Sequence, residues 1–242
     1  MTKLLKDRIA LVTGASRGIG YATAKALAAE GAHVIALART VGGLEDLDDE
    51  IKALGGSATL VPVDLKDFDA LDRLGASIYE RWGKLDILVG NAGALGKLTP
   101  VSHIKPKDWD ETFAVNVTAN ARLIRSLDVL LRQSDAGRAL FLTSGAAHKT
   151  RAYWGLYAAT KAALETLVLT YANEVGTSAL RVNLLNPGPV RTAMRAKAMP
   201  GEDPETLPQP AELARHIPTL VAPQQDANGA IFDFKDGAII QR

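Results

Sequence analysis

The chain has 242 residues, 47% of them hydrophobic, and a formal net charge of +1. This is enough for one α/β domain with a substantial core, and it makes no broad electrostatic case for nucleic acid or an acidic membrane surface. The lack of cysteine excludes disulfides, thiol nucleophiles and cysteine metal sites.

No apolar run approaches the roughly 18–20 residues of a membrane span. The first residues, Met1 to Arg8, lead straight into a strand without a signal-peptide core, so a soluble cytoplasmic protein is expected. Strands are predicted near 8–13, 33–38, 58–63, 85–90, 138–143, 180–186 and 230–234. Helices are predicted near 18–30, 41–54, 67–82, 106–132, 157–176 and 210–222. Such alternation implies right-handed crossovers and a parallel sheet covered on both faces. The expected fold is α/β: a Rossmann-type, doubly wound three-layer α/β/α sandwich on a seven-stranded parallel sheet, in a single domain over 1–242. Ligands of such sheets bind at the carboxyl ends of the strands. Gly14, Arg39, Asp64, Asn91, Ser144 and Pro187 all fall there.

The first strand runs directly into Gly14-Ala15-Ser16-Arg17-Gly18-Ile19-Gly20 and an amphipathic helix. Glycines in this turn remove Cβ atoms so that backbone can approach a pyrophosphate, and the helix N-terminus offers free N–H groups. The Gly-x-x-x-Gly-x-Gly spacing is one residue longer at the front than the usual dinucleotide fingerprint. The second strand ends in Ala38, Arg39 and Thr40, where an NAD-preferring site carries an acidic residue. Arg39 can instead pair with a 2′-phosphate, with no carboxylate to repel it, and Arg17 adds a second positive charge. NADP (NADPH) is therefore the expected cofactor, ahead of NAD.

Asp64 and Leu65 follow the third strand, where a turn or N-cap role for the carboxylate is compatible with a cofactor contact. Small residues in Asn91-Ala92-Gly93, after the fourth strand, let backbone pass close to a ribose. Asn116 is the odd polar residue in a long apolar helix. Tyr157 and Lys161, at i and i+4, share one helix face, and Ser144 ends an apolar strand. A phenol, with a pKa of about 10, is a poor acid or base near neutrality without a cation beside it. Taken alone, Tyr-x-x-x-Lys is also an ordinary surface pair.

Between Asn186 and Ala211 lie six prolines and two glycines. A loop this long is functional or disordered, and a substrate lid over about 188–210 is expected. His148, Tyr153 and Trp154, between the serine and the tyrosine, are candidate substrate contacts, as is Met194 in the lid. Packing accounts equally well for the first three. His33, His103 and His216 have no metal-ligand spacing, so no metal site is expected.

Thr13 to Gly20, Asn91-Ala92-Gly93, Asn116, Ser144, Tyr157-x-x-x-Lys161 and Pro187-Gly188 together resemble the signature set of the short-chain dehydrogenases/reductases (SDR), in the NADP-preferring type. The resemblance runs from about residue 6 to about 237, and its order and spacing are more specific than any single motif. It implies a catalytic set of Asn116, Ser144, Tyr157 and Lys161. Tyr157 exchanges the proton, Ser144 polarises the carbonyl, and Lys161 lowers the Tyr157 pKa and holds the nicotinamide ribose together with Tyr157. Asn116 holds a kinked helix and a water that relays protons. The resemblance also places Asp64 at the adenine, with Leu65 giving a backbone contact. It sets Pro187, Gly188 and Val190 at the nicotinamide carboxamide and Thr192 at the phosphates or amide.

Two departures stand out. Gly90 occupies the place of the family's second asparagine, and the tail lacks the aspartate-diglycine ending of fatty-acid ketoreductases, which weighs against an acyl-carrier-protein substrate. Helices 106–132 and 157–176 read as hydrophobic all round, and relatives pair such helices, so a homotetramer or homodimer is expected. The implied function is an oxidoreductase moving hydride between NADP(H) and a small carbonyl or secondary alcohol. The alternatives are a non-catalytic NADP-binding sensor or scaffold, an epimerase of the extended family, and, more narrowly, a 3-oxoacyl-thioester reductase.

Overall fold

The structure, a computed structural model, describes residues 3–242. Eight strands form one sheet: β1 (Ile9–Thr13), β2 (His33–Ala38), β3 (Ser57–Pro62), β4 (Ile87–Gly90), β5 (Arg138–Leu142), β6 (Arg181–Asn186), β7 (Ile231–Lys235) and β8 (Ala238–Gln241). Their order is β3-β2-β1-β4-β5-β6-β7-β8, so the winding reverses between β1 and β4. The first seven pair in parallel, as expected. The eighth corrects the expected count: β8 folds back antiparallel on β7. Asp236 and Gly237 both have positive φ, which is the two-residue Asp-Gly hairpin turn that the flanking right-handed twist favours.

The helices are α1 (Gly18–Ala29), α2 (Val41–Ala53), α3 (Phe68–Trp82), α4 (Pro106–Phe113), α5 (Ala119–Gln133), α6 (Gly155–Val175), α7 (Ala193–Ala198), α8 (Pro210–Ala214) and α9 (Ile217–Leu220). Side-chain alternation along the buried strands divides the core into two layers. Ala10 and Val12 of β1 pack with Leu27, Leu44 and Ile217 on one face. Leu11 packs with Leu71, Leu127 and Val168 on the other.

Three helix expectations change. The 106–132 helix is interrupted by a π turn at Ala114–Thr118, whose centre is the fully buried Asn116. The predicted 210–222 helix divides into α8 and α9, because Pro218 has no N–H to continue the ladder. The helices also carry polar residues on their outer faces, although α6 leaves Ala158, Ala162, Leu167 and Leu169 partly exposed as well. The exposed positions of α5 include Arg125, Val129 and Arg132, and those of α6 include Thr166, Thr170 and Glu174. The presumed lid holds α7, whose first turn is capped by the Thr192 hydroxyl accepting from Arg195 N at 3.1 Å. Among the described residues no helix is long and apolar enough to cross a membrane.

Candidate active site

The turn after β1 and the loop after β4 are stitched into one surface. Thr13 Oγ1 accepts from the backbone N–H groups of Asn91 and Ala92, both at 3.1 Å. Asn91 Nδ2 donates to the Thr13 carbonyl at 2.8 Å. A Cβ on Gly20 would lie 2.3 Å from both Asn91 Nδ2 and the Gly14 carbonyl, so glycine is required for this packing. Gly14 and Gly18 have φ of +68° and +59°, the left-handed region that glycine enters without strain. Ser16 packs by its backbone against Gly43 at the start of α2, and Ile19 is partly buried in the core.

Arg17 is the N-cap of α1. It makes no side-chain bond to the first-turn N–H groups, and no acidic residue stands in that turn. These donors lie beside an open space: a Cβ on Gly18 would meet only Thr192 Cγ2, at 3.6 Å. The segment between β6 and α7 thus brings Thr192 against the glycine turn. Pro187 and Gly188 directly follow that strand, and Val190 is buried beside them.

Arg39 directly follows β2, and Thr40 caps α2 without a side-chain bond. The carboxylate thought absent from this corner is present. Asp64 Oδ2 lies 3.7 Å from Arg39 Nη1, both side chains being exposed. Asp64 Oδ1 also accepts from Lys66 N at 2.9 Å, which establishes its turn role, and Leu65 is buried beneath it.

At the carboxyl ends of β4 and β5, α6 delivers a tight group. Tyr157 and Lys161 are buried and one turn apart, and Ser144 stands next to the Tyr157 phenol. Ser144 caps a 3-10 turn, its hydroxyl accepting from Ala146 N at 3.2 Å. Gly93 is the meeting point with the preceding loop: a Cβ there would lie 3.5 Å from Asn116 Oδ1 and 3.7 Å from Lys161 Nζ. Asn116 Oδ1 accepts from Ala94 N at 2.7 Å, and its Nδ2 donates to Ala94 O and Thr160 Oγ1, both at 2.9 Å. The π turn that frees this amide ties the Asn91-Ala92-Gly93 loop to α6, a use such turns often have.

The expected lowering of the Tyr157 pKa by Lys161 is corrected. Burial pushes the phenol upward, with the neighbouring Ser144 hydroxyl pulling it partway back. Lys161 Nζ instead donates to the Leu142 carbonyl at 2.7 Å, and burial pushes its ammonium down to about 8 against the pull of Glu165.

The candidate substrate contacts separate. His148 is committed to Glu165, with Nε2 2.7 Å from Oε2. Trp154 makes an edge contact with Tyr157, its ring centroid 6.0 Å away. Tyr153 is exposed, with a φ of +72° fixed by Thr99 N donating to its carbonyl at 3.0 Å. Met194 lies half-exposed on α7. Sequence reasoning passed over Glu165 and Asn186. The Tyr157-x-x-x-Lys161-x-x-x-Glu165 spacing, an acid on the buried side of an apolar helix, was the available signal for the first.

Known proteins resemble this chain in sequence and fold. The short chain dehydrogenase family model matches residues 8–203. The uncharacterized oxidoreductase YciK of Escherichia coli K12 is 41% identical over 213 residues, covering 87% of this chain and 84% of the relative. A short chain dehydrogenase structure from Salmonella enterica serovar Typhi superposes with a TM-score of 0.92 at 36% identity, over 96% of this chain and 98% of the other. One from Shigella flexneri 2a, complexed with NADP, gives 0.91 at 38% identity, over 96% and 99%. The chain is an oxidoreductase and belongs to the short-chain dehydrogenase family.

Proposed function

We propose that the protein is an NADP(H)-dependent reductase of small ketones or aldehydes, reversible as a secondary-alcohol dehydrogenase. The observation that carries this reading is the buried Tyr157 beside Ser144, with the Lys161 ammonium one turn away on the same helix. The glycine turn, the uncapped α1 N-terminus and Arg39 fit the pyrophosphate and 2′-phosphate of NADPH, and NADP is the group carried by the Shigella relative. When bound, the nicotinamide supplies the hydride.

The residues supply the rest. Ser144 and Tyr157 donate hydrogen bonds to the substrate oxygen, favouring the charge that develops there. Tyr157 then passes its proton to the nascent alkoxide. A phenol pushed upward by burial is protonated throughout the neutral range, the state that reduction requires. Lys161, with its pKa near 8, is mostly ammonium at pH 7 and suited to hold ribose hydroxyls. Asn116 locks the loop after β4 to α6, the two elements that frame this site.

We place a single catalytic domain over the chain and a substrate lid at about 188–210. Within this segment itself, Arg191, Arg195, Met199 and Leu207 line a cavity of about 420 Å³. Exposed Val101, Trp109 and Val129 suit a homo-oligomer. The test is Tyr157→Phe assayed with NADPH on a panel of ketones and aldehydes. Lost turnover with NADPH affinity retained supports the assignment, and near-normal turnover defeats it.

A further inference from the structure

Glu165 lies one helical turn beyond Lys161 on α6. It is buried, and no step of the reduction uses it. Burying a carboxylate is costly unless its oxygens find partners, and both do. Oε1 accepts from Thr143 Oγ1 at 2.6 Å, and Oε2 lies 2.7 Å from His148 Nε2. Thr143 directly precedes Ser144, and His148 ends the 3-10 turn Gly145–Ala147 that follows it. A single side chain on the helix of Tyr157 and Lys161 therefore grips the serine loop at both ends. From the other side of the loop, Gly145 N donates to Asn186 Oδ1 at 3.0 Å.

The charged and titratable groups facing Glu165 are Lys161 on its own helix and His148 from the loop after β5. The carboxylate favours the charged form of Lys161 against the burial that disfavours it.

We propose that Glu165 is a positioning residue of the reduction, its carboxylate holding the Ser144 loop in register with Tyr157 and Lys161. The proposal rests on the reductase reading. Without the grip, the serine hydroxyl drifts from the substrate oxygen that Tyr157 protonates. The chemical step then suffers more than cofactor binding. Without the charge, Lys161 gives up its proton at lower pH.

The test compares wild type, Glu165→Leu and Glu165→Gln by steady-state kinetics across pH, NADPH fluorescence titration and hydrogen exchange of residues 143–154. Glu165→Leu is expected to lower kcat about 10- to 100-fold, as small misplacements of reacting groups do. NADPH affinity is expected to stay within about threefold, while exchange in the serine loop rises. Glu165→Gln retains an acceptor for Thr143, so it should keep the loop protected while its basic kcat/KM limb moves to lower pH. Unchanged kcat and unchanged exchange in Glu165→Leu overturn the proposal. So does a parallel fall of kcat, NADPH affinity and melting temperature, which marks a packing residue. Should Glu165→Leu not fold, Thr143→Val and His148→Phe cut the two tethers singly, and exchange unchanged in both overturns the grip. Exchange needs no turnover, so it decides the grip even if the wild type reduces no carbonyl, a result that overturns the reductase reading alone.

Discussion

Lys161 donates its Nζ to the Leu142 carbonyl at 2.7 Å, while the centre of the Tyr157 ring is 5.9 Å from the same nitrogen. The end of β5, rather than the phenol, receives the direct bond. The ammonium is fully buried and its pKa falls from 10.5 to about 8. Folded, Lys161 holds its proton less tightly than it does unfolded. Between about pH 8 and 10.5 the unfolded chain therefore carries more protons, and stability rises with pH. Below that window the charged lysine costs about 3 kcal/mol, at about 1.36 kcal/mol per pKa unit. Lys161→Met is expected to be inactive yet to melt at a higher temperature than wild type at pH 7. Its advantage should shrink as the pH is raised from 8 toward 10.5. Melting curves at pH 7 and pH 10 check this, and a variant less stable than wild type at pH 7 counts against the burial cost.

Arg39 and Asp64, 3.7 Å apart and exposed, form a pair of the kind that contributes only about 0–1 kcal/mol. Arg39 is therefore cheaply redirected to a 2′-phosphate, where a charge-assisted bond contributes about 1.5–3 kcal/mol. Arg39→Asp should weaken NADPH about 10- to 100-fold, with NADH changed far less. Nicotinamide fluorescence titrations with both coenzymes separate the cases, and equal losses would show that Arg39 does not read the phosphate.

The parallel sheet was legible in the sequence because each buried strand is a short apolar run bounded by turn residues, as in Ile9–Thr13 before Gly14. The group at the carboxyl ends was legible through spacing, since Tyr157 and Lys161 meet on any helix. The details hidden from it depend on contacts far apart in sequence. Asn116 breaks its helix because Ala94 and Thr160 claim its amide, and neither is a sequence neighbour. The direction of the Tyr157 shift follows from how deeply α6 is buried, which no local pattern reports. The β8 hairpin is a different case. Asp236-Gly237 is a local turn signal, but the short tail around it lacks an alternating apolar pattern strong enough to mark a strand.

Gly90 departs from the family pattern for a steric reason. A Cβ there would lie 2.3 Å from Phe141 Cδ1 and 2.9 Å from Asn120 Oδ1. Phe141 is fully buried, so it has little room to give way. Gly90→Asn should cost about 1–3 kcal/mol or more as overpacking, which lowers the melting temperature by roughly 2–12 °C. Adding Phe141→Leu should restore part of the loss, because residues in contact couple. Additive effects of the two substitutions would mean that Phe141 is not the obstacle.

Asn186 joins the C-terminal hairpin to both loops that border the site. Its Oδ1 accepts from Gly145 N at 3.0 Å and Gly188 N at 3.3 Å, and its Nδ2 donates to Asp233 Oδ1 at 2.7 Å. Asp233 is in turn paired with Arg242, so β7 and the end of the chain hold this side chain in place. Asn186→Ala leaves two N–H groups without their acceptor, at a cost of about 1–3 kcal/mol, and should slow turnover by freeing the residues after Ser144. Asn186→Asp separates geometry from charge. It keeps an acceptor for both N–H groups but sets a second carboxylate against Asp233, and like charges this close disfavour joint ionisation. Its melting temperature should therefore fall below that of wild type even though both N–H groups keep their acceptor. A melting temperature equal to that of wild type would mean that the Asn186–Asp233 contact does not carry the link.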